Sequence, residues 1–498
     1  VELHPSMERL VAEWQNLKQD LIWKTAKGKE AAERALQAGN VFQTSTTPWV
    51  HQVCAGAFIE YKKAWYLGMR MRTGKTLVAI ERLLSHPVQS CLILCPKSVI
   101  DVWAAELDKH APTHPYQIIP LSMSGGKKKT ETLLFQREIA ELKSKPYIVI
   151  VNYDAMIREP LKEVLLKHKW GMVIADEGHK LKSAGGVTSK TAARLQADSK
   201  GILSGTPFSN GRMDAFGQFR FIDPAAFGTS IVKFRSRYCE MGGYGNYEVV
   251  GWKNIESFNK IIDLYMFRVD EDVLNLPPIV HMYRHAPLTR RAEAIYKKLE
   301  RHFITSLDDG TKINAVNVLS KAMKLREICS GFVFDEDGNV KLIHEERKKA
   351  LKQLLIELDP SEKITVFCEF TNDLDSIREV AESVNRTYGE VSGRRNDLVR
   401  GVYPQDVTVL GVNPKSGGVG VDCSASRYCV FYTVSFNGGD HDQAKSRVLG
   451  TNQKRDVTYI YLIAPGTIEE VVYAALVEKK SVEDSIMDYV KRGGSING

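Results

Sequence analysis

Met71-Arg72-Thr73-Gly74-Lys75-Thr76 follows the apolar run WYLGM and precedes the helical TLVAIERLL. A strand, a short loop and a Gly-Lys-Thr that opens a helix form a phosphate cradle, because loop amides and the helix N-terminus both attract an anion. In that arrangement Thr73 and Gly74 contribute backbone amides, Lys75 reaches the β- and γ-phosphates, and Thr76 ligates Mg²⁺. The slot for the first glycine of such a loop holds Met69, with Gly68 one place off. Further along, GMVIADEGHKLKS sets Asp176-Glu177 at the end of an apolar strand. An Asp there holds Mg²⁺ through water, and the adjacent Glu polarises the attacking water. His179, two residues on, is placed to sense the nucleotide. The two motifs together predict an ATP–Mg²⁺ site.

Three more segments fall at strand ends or on a helix. Leu203-Ser204-Gly205-Thr206-Pro207 ends an apolar run and suits a coupling loop. Lys415 to Asp422, KSGGVGVD, is glycine-rich and follows the strand VTVLGV. Gln443 and Arg447 are four residues apart and share one helix face, from which Arg447 can meet a γ-phosphate. The run Lys127–Lys129 reads as a solvated loop.

The elements that must position these residues come in two blocks. WYLGM, SCLILCP, YIVIVNY, GMVIAD and GILSGTP alternate with helical stretches, as do the later KITVFCEF, VTVLGV, YCVFYTV and VTYIYLI. Short apolar runs ending in turn residues are the pattern of buried parallel strands with functional loops at their carboxyl ends. The expected fold is therefore α/β, with two parallel-sheet lobes. Residues 7–39 read as one or two amphipathic helices, 289–330 as helices, DEDGN at 335–339 as a turn, and the final stretch from Thr467 as an amphipathic helical brace. A chain of 498 residues, 43% hydrophobic and 26% charged, fits two to four globular domains. No apolar run approaches the ~18 residues of a membrane span, and the start does not read as a secretory signal. The formal charge of +8 suits nucleic acid without requiring it. The eight cysteines include no C-x-x-C pair and read as reduced, buried residues of an intracellular protein.

In this order, the motifs resemble those of the SWI/SNF-like ATPases of helicase superfamily two, over residues 45–480. DEGH at 176–179 is the form typical of that family. His51-Gln52 looks like its adenine-reading element. CPKSVIDVWAAEL and VNYDAM resemble its DNA-contacting segments, and LSGTPFSNG matches its coupling motif. FRVDEDVLNLPP, LREICSG, FCEFTNDLD, the loop from Lys415 to Asp422 and GTIEEVVYAALVEKK follow in family order. The spacing leaves no room for the large insertions of nucleosome remodellers, so the chain is similar to compact members such as annealing helicases or phage and bacterial relatives. Three positions depart from the pattern. Arg72 stands where Gly is usual, Asp422 where Asn is common, and Gly450 where the family has a second arginine after Arg447. That arginine normally serves as the finger on the γ-phosphate, and Arg455 is the nearest substitute.

The resemblance implies two RecA-like lobes with helical insertions and a C-terminal brace. The expected divisions are 1–42, an N-terminal helical extension; 43–288, the first lobe; 289–345, a helical linker; 346–465, the second lobe; and 466–498, the brace. Lys75, Asp176, Glu177, Gln443 and Arg447 become the catalytic set. Gln52, Thr73, Gly74, Lys75, Thr76, His179, Gly418, Gly420 and Asp422 contact the nucleotide, and Thr76 and Asp176 serve the metal. Lys97, Asn152, Tyr153, Thr371, Lys415 and Ser416 are the expected DNA phosphate contacts, with Trp103 packing rather than stacking on bases. Three functions stay open. The first is an ATP-driven translocase on double-stranded or branched DNA. The second is a motor subunit with a nuclease or replication or repair partner. The third is a nucleotide-gated DNA clamp in which Gly450 impairs hydrolysis. A bacterial or phage-infected cytoplasm is expected rather than a nucleus, and no membrane partner.

Overall fold

The computed structural model describes residues 42–121, 145–209, 211–242, 248–270, 277–308, 315–334, 339–398, 403–414, 421–436, 438–449, 453–478 and 482–492, together with 33, 37, 132, 135, 136, 142, 273 and 274. The helices expected at 7–39 fall outside this set apart from Glu33 and Gln37. The loop Lys127–Lys129, most of the turn expected at 335–339, the glycine-rich residues Lys415, Ser416, Gly418 and Gly420, and Gly450 also fall outside it. The chain divides into two compact units, Val1–Leu274 and Asn275–Gly498.

The first unit is built on β1 (Ala64–Met69), β2 (Ser90–Cys95), β3 (Gln117–Leu121), β4 (Tyr147–Asn152), β5 (Lys169–Asp176), β6 (Gln196–Leu203) and β9 (Met266–Val269). They form one sheet in the order β3-β4-β2-β5-β6-β1-β9, and every pairing in it is parallel. Parallel neighbours need crossover connections, usually helices, and these cover both faces. That is why β2 and β4 are buried at every position. The helices that matter for the site are α1 (Val50–Ile59), α2 (Lys75–Ser85) and α3 (Ile100–His110). After β6 come α4 (Asp214–Ile222) and α5 (Ile231–Tyr238), an antiparallel hairpin of β7 (Cys239–Gly242) and β8 (Glu248–Trp252), and α6 (Ile255–Tyr265). Phe216, Phe219, Phe227, Phe234, Tyr238 and Phe258 pack these elements together through ring centroids 5.1–6.4 Å apart.

The second unit carries β10 (Ile279–His285), β13 (Ile364–Phe367), β14 (Tyr388–Val391), β15 (Val409–Val412), β16 (Tyr428–Phe431) and β17 (Val457–Ile463), in the order β10-β17-β16-β13-β15-β14 and all parallel. A short hairpin, β11 (Phe332–Phe334) with β12 (Val340–Leu342), stands apart from this sheet. Its helices are α7 (Arg290–Asp308), α8 (Ala315–Ser330), α9 (Glu346–Glu357), α10 (Thr371–Ser383), α11 (Gly438–Val448), α12 (Ile468–Val477) and α13 (Val482–Lys491). Strand alternation splits the core in two. Ile364, Val366, Val430 and Ile460 face Leu351, Leu354, Leu374 and Ile377 of α9 and α10. Phe367, Phe431, Tyr459 and Tyr461 face the other side, where Leu325, Ile328, Ile468, Val472, Ile486 and Tyr489 join them.

Two expected boundaries change. Residues 279–285 belong to the second sheet, paired along their whole length with β17, so the first lobe does not run to 288. The helical linker at 289–345 and the brace from 466 are not separate layers. Tyr296, on α7, accepts from the backbone N–H of Ile468 at 2.8 Å, and both elements share the core beneath β16 and β17. The physical reason is the same in both cases: an amphipathic helix must bury its apolar stripe, and the face of the second sheet is where it does so.

Candidate nucleotide site

The loop between β1 and α2 is shaped by two left-handed residues. Gly74 has φ 80° and caps α2, and Arg72 has φ 62°. Gly74 tolerates this because it lacks a β-carbon, and a β-carbon there would lie 2.0 Å from Nε2 of Gln52. Arg72, where the resemblance expects Gly, takes a left-handed conformation that costs a non-glycine residue roughly 1–2 kcal/mol. Thr73 is fully buried and donates its hydroxyl to the Arg70 carbonyl at 2.6 Å. Lys75, the first residue of α2, donates to the carbonyls of Met69 and Arg70 at 2.9 and 3.1 Å. Thr76 follows in the first turn and is half-buried.

Helix α1 lies against this loop. His51 donates Nε2–H to the Thr73 carbonyl at 2.8 Å, and Gln52 donates Nε2–H to the same oxygen at 3.1 Å. Gln52 is in turn fixed by the Trp49 N–H, which donates to its Oε1 at 2.7 Å. Burial lowers the His51 pKa, and the ring's bond to Thr73 opposes that shift. The pair read as adenine-contacting therefore also braces the phosphate loop.

Asp176 closes β5, and each of its side-chain oxygens has a donor. Trp103 Nε1–H donates to Oδ2 at 2.9 Å and the Glu177 N–H donates to Oδ1 at 2.9 Å. Burial raises the Asp176 pKa to about 6 and the Glu177 charge adds to the rise, while the Trp103 bond and the Lys75 ammonium oppose it. Glu177 is left-handed, at φ 50°, which turns the chain sharply away from the strand. His179 Nδ1 lies 3.2 Å from Glu177 Oε2. Hard carboxylate oxygens at Asp176 and Glu177, a hydroxyl at Thr76 and a lysine at a helix N-terminus are the donor set that suits Mg²⁺ with a nucleotide polyphosphate, so the residues present fit that group.

The coupling segment starts at Ser204, fully buried, whose N–H donates to Leu67 of β1 at 3.1 Å. Gln218 of α4 holds it from behind. Its Nε2 donates to the Pro207 carbonyl at 2.6 Å and its Oε1 accepts from the Tyr66 hydroxyl at 2.5 Å. Sequence reading did not single out Gln218. A polar residue inside the aromatic run AFGQFRF was the available signal.

The expected DNA contacts divide. Lys97 is exposed on a short 3₁₀ turn and Thr371 is exposed at the start of α10. Asn152 is 6% exposed at the end of β4. Tyr153 does not present its hydroxyl to the surface: it is 6% exposed and donates to the Asp176 carbonyl at 2.7 Å, so it supports the carboxylate strand instead. Trp103 is 1% exposed and does not stack on bases.

In the second unit, Gln443 and Arg447 share α11 and are both half-buried. Asp422 accepts from the Ser424 N–H at 2.9 Å, and the Cys423 N–H donates to the Arg447 carbonyl at 2.9 Å, which brings the end of the glycine-rich segment onto α11. Arg455 is engaged by a carboxylate. Its Nη1 pairs with Glu362 at 2.9 Å, and both residues sit before the first residue of their strands, β17 and β13. Asp422 belongs to the same neighbourhood: the Arg455 N–H donates to Gln453 Oε1 at 3.1 Å, Gln453 Nε2 donates to the Ser424 carbonyl at 3.0 Å, and the Ser424 N–H donates to Asp422.

The profile of the SNF2-related domain family matches residues 20–332. The chain belongs to that family, as the motif order of SWI/SNF-like superfamily-two ATPases implied. Among curated proteins it is 25% identical over 449 residues to "Chromodomain-helicase-DNA-binding protein 1-like" of Danio rerio, covering 85% of this chain and 42% of that one. It is 24% identical over 475 residues to "DNA repair protein rhp54" of Schizosaccharomyces pombe, covering 84% and 55%. The chain thus spans about half the length of these relatives. A solved "Sulfolobus solfataricus SWI2/SNF2 ATPase core in complex with dsDNA" aligns over 91% of this chain and 95% of that one, at 21% identity and a TM-score of 0.41.

Proposed function

We propose that this protein is an ATP-dependent translocase on double-stranded DNA that remodels forks, branched DNA or protein–DNA complexes. The observation that carries the reading is the pairing, in a chain of the SNF2-related domain family, of a Gly74-Lys75 helix N-terminus with a doubly anchored Asp176 at the end of β5. Mg²⁺, when bound, would neutralise charge on the polyphosphate. Lys75 binds the β- and γ-phosphates, moving from the carbonyls it now contacts. Glu177 orients the attacking water and accepts its proton. Asp176, kept in place by Trp103, supplies the anionic oxygen that suits the cation. His51 and Gln52 keep the loop in the conformation that exposes its amides. DNA is held through its phosphates, and such contacts carry no sequence information.

Translocation along a duplex displaces a third strand annealed in its path. A triplex of defined length, incubated with protein, ATP and Mg²⁺, should release that strand at a rate that falls when Lys75 is replaced by Ala. Release without ATP, or none under any condition that supports turnover, would contradict the reading.

A second reading is a nucleotide-gated clamp that grips DNA but hydrolyses slowly. It is favoured by Gly450 at the family's finger position together with the Arg455–Glu362 pair, which engages the nearest replacement. A motor that serves a separate nuclease or repair protein is the third.

A further inference from the structure

Helix α5 reads IVKFRSRY. Phe234 and Tyr238 anchor it in the aromatic cluster with Phe227 and Phe258. Lys233 and Arg237, four apart, are exposed on one flank of the helix and Arg235 on the opposite flank, and the helix contains no acidic residue. Lys253 joins them from the end of the β7–β8 hairpin. Its N–H donates to the Tyr238 carbonyl at 2.9 Å, and Asn254 Nδ2 donates to the Arg237 carbonyl at 2.7 Å. Arg235 and Lys253 both lie near enough to Cys239 to oppose the rise that burial gives its thiol.

All four cations are exposed, and among the described residues none has an ion-pair partner. Lys167, Lys260 and Lys297 are matched with Glu163, Glu256 and Glu293, whereas Lys298 and Lys352 are exposed on helices without a partner among the described residues, so it is the four together and not any one of them that marks this surface. The carboxylates on adjoining elements are Glu240 and Glu248 on the hairpin, Glu256 and Asp263 on α6, already paired with Lys260 and Arg268, and Asp214 on α4, which is buried. The helix dipole accounts for Arg235 and Arg237 in the last turn, where a cation is favoured. It does not account for Lys233, which stands in the first turn where a cation is disfavoured, nor for Lys253, which is outside the helix. Lys233 and Arg237, like charges four apart on one flank, repel one another, and an anionic partner removes that cost.

We propose that the exposed side of α5, with Lys253 after β8, is a second phosphate-contacting surface that seats the backbone of duplex DNA, in addition to the contacts expected of Lys97 and Thr371. It rests on the DNA-binding reading above. Point charges on both flanks of an exposed helix suit regularly spaced phosphates, and no groove is needed to read bases.

The test is duplex affinity of the whole chain across a salt series, for the wild type and for Arg235→Gln/Arg237→Gln. Two lost phosphate contacts make the log–log salt slope shallower by about 1.8 and weaken binding roughly 10- to 100-fold at ~0.1 M salt. ATP affinity, measured beside it, should not move, which shows that the first unit is folded. An unchanged slope and affinity would overturn the proposal alone. So would a double variant that keeps its duplex affinity but loses binding to polyglutamate, because the face would then belong to an acidic protein. A wild type with no salt-dependent duplex binding would overturn the DNA-binding reading itself.

Discussion

The indole N–H of Trp103 donates to Oδ2 of Asp176 across 73 residues of sequence. With the Glu177 N–H on Oδ1, it gives each carboxylate oxygen a donor, and it counters the pKa rise that burial causes. A hydrogen bond to a charged group is worth about 1.5–3 kcal/mol. Trp103→Phe keeps most of the ring and removes the donor. The Mg²⁺ concentration needed for half-maximal turnover should rise on the order of 10-fold. A Mg²⁺ titration that overlays the wild type would mean that Trp103 only packs.

Gly74 is under two constraints at once, a φ of 80° and the side chain of Gln52. Gly74→Ala must shift Gln52 or flatten the loop, and either change removes amides from the phosphate. Nucleotide affinity should fall at least about 30-fold, equivalent to some 2 kcal/mol of combined strain and lost contact. Binding of a fluorescent ATP analogue checks this, and a loss below twofold would show that the loop amides do not hold the nucleotide.

Arg455 is engaged by Glu362, so it should contribute nothing to turnover. Arg455→Ala is expected to leave DNA-stimulated turnover within about twofold, since an exposed pair is worth only 0–1 kcal/mol. Arg447→Ala should lower turnover far more than ATP affinity. Gly450→Arg should raise turnover by orders of magnitude, because an arginine finger is worth roughly 10³–10⁵ in kcat. If Arg455→Ala stops hydrolysis, or Gly450→Arg changes nothing, the alignment at this helix is wrong.

The parallel strands near the site were legible because burial on both faces leaves uninterrupted apolar runs such as CLILC and YIVIV. Strand β10, IVHMYRH, was not. It lies at the sheet edge with six of its seven residues exposed, so nothing in its polarity separates it from a loop, and only β17 fixes its place. Lys75, Asp176 and Glu177 were legible because a phosphate loop and an acidic strand end are local patterns. The partners of Asp176 were not. The sequence reads Trp103 as packing and Tyr153 as a DNA phosphate contact, yet both side chains bond to the same aspartate, and no local spacing encodes that. Gln218 was missed for the same reason.

Asp373, in the first turn of α10, is 1% exposed and accepts from Ser330 at 2.5 Å and Thr433 at 2.8 Å. Burial nonetheless raises its pKa from 3.8 to about 6. The folded-state value lies above the unfolded one, so the group's stabilising contribution is complete below about pH 4 and is lost as pH rises through about 6, on the order of 3 kcal/mol in all. Asp373→Asn should therefore stabilise the second unit relative to wild type more at pH 7.5 than at pH 5. Denaturant unfolding at the two pH values measures this, and a variant-minus-wild-type difference that does not change with pH would rule out an ionised Asp373 as the cause.

The central claim is that Lys75, Asp176 and Glu177 form a hydrolytic site answering to DNA. The most direct measurement is ATP turnover by the whole chain with and without duplex DNA, set beside ATP binding, for the wild type and Glu177→Gln. The account predicts slow turnover that duplex DNA raises, together with a variant that binds ATP normally and does not hydrolyse it. Normal turnover in Glu177→Gln, or wild-type turnover indifferent to DNA, would contradict it.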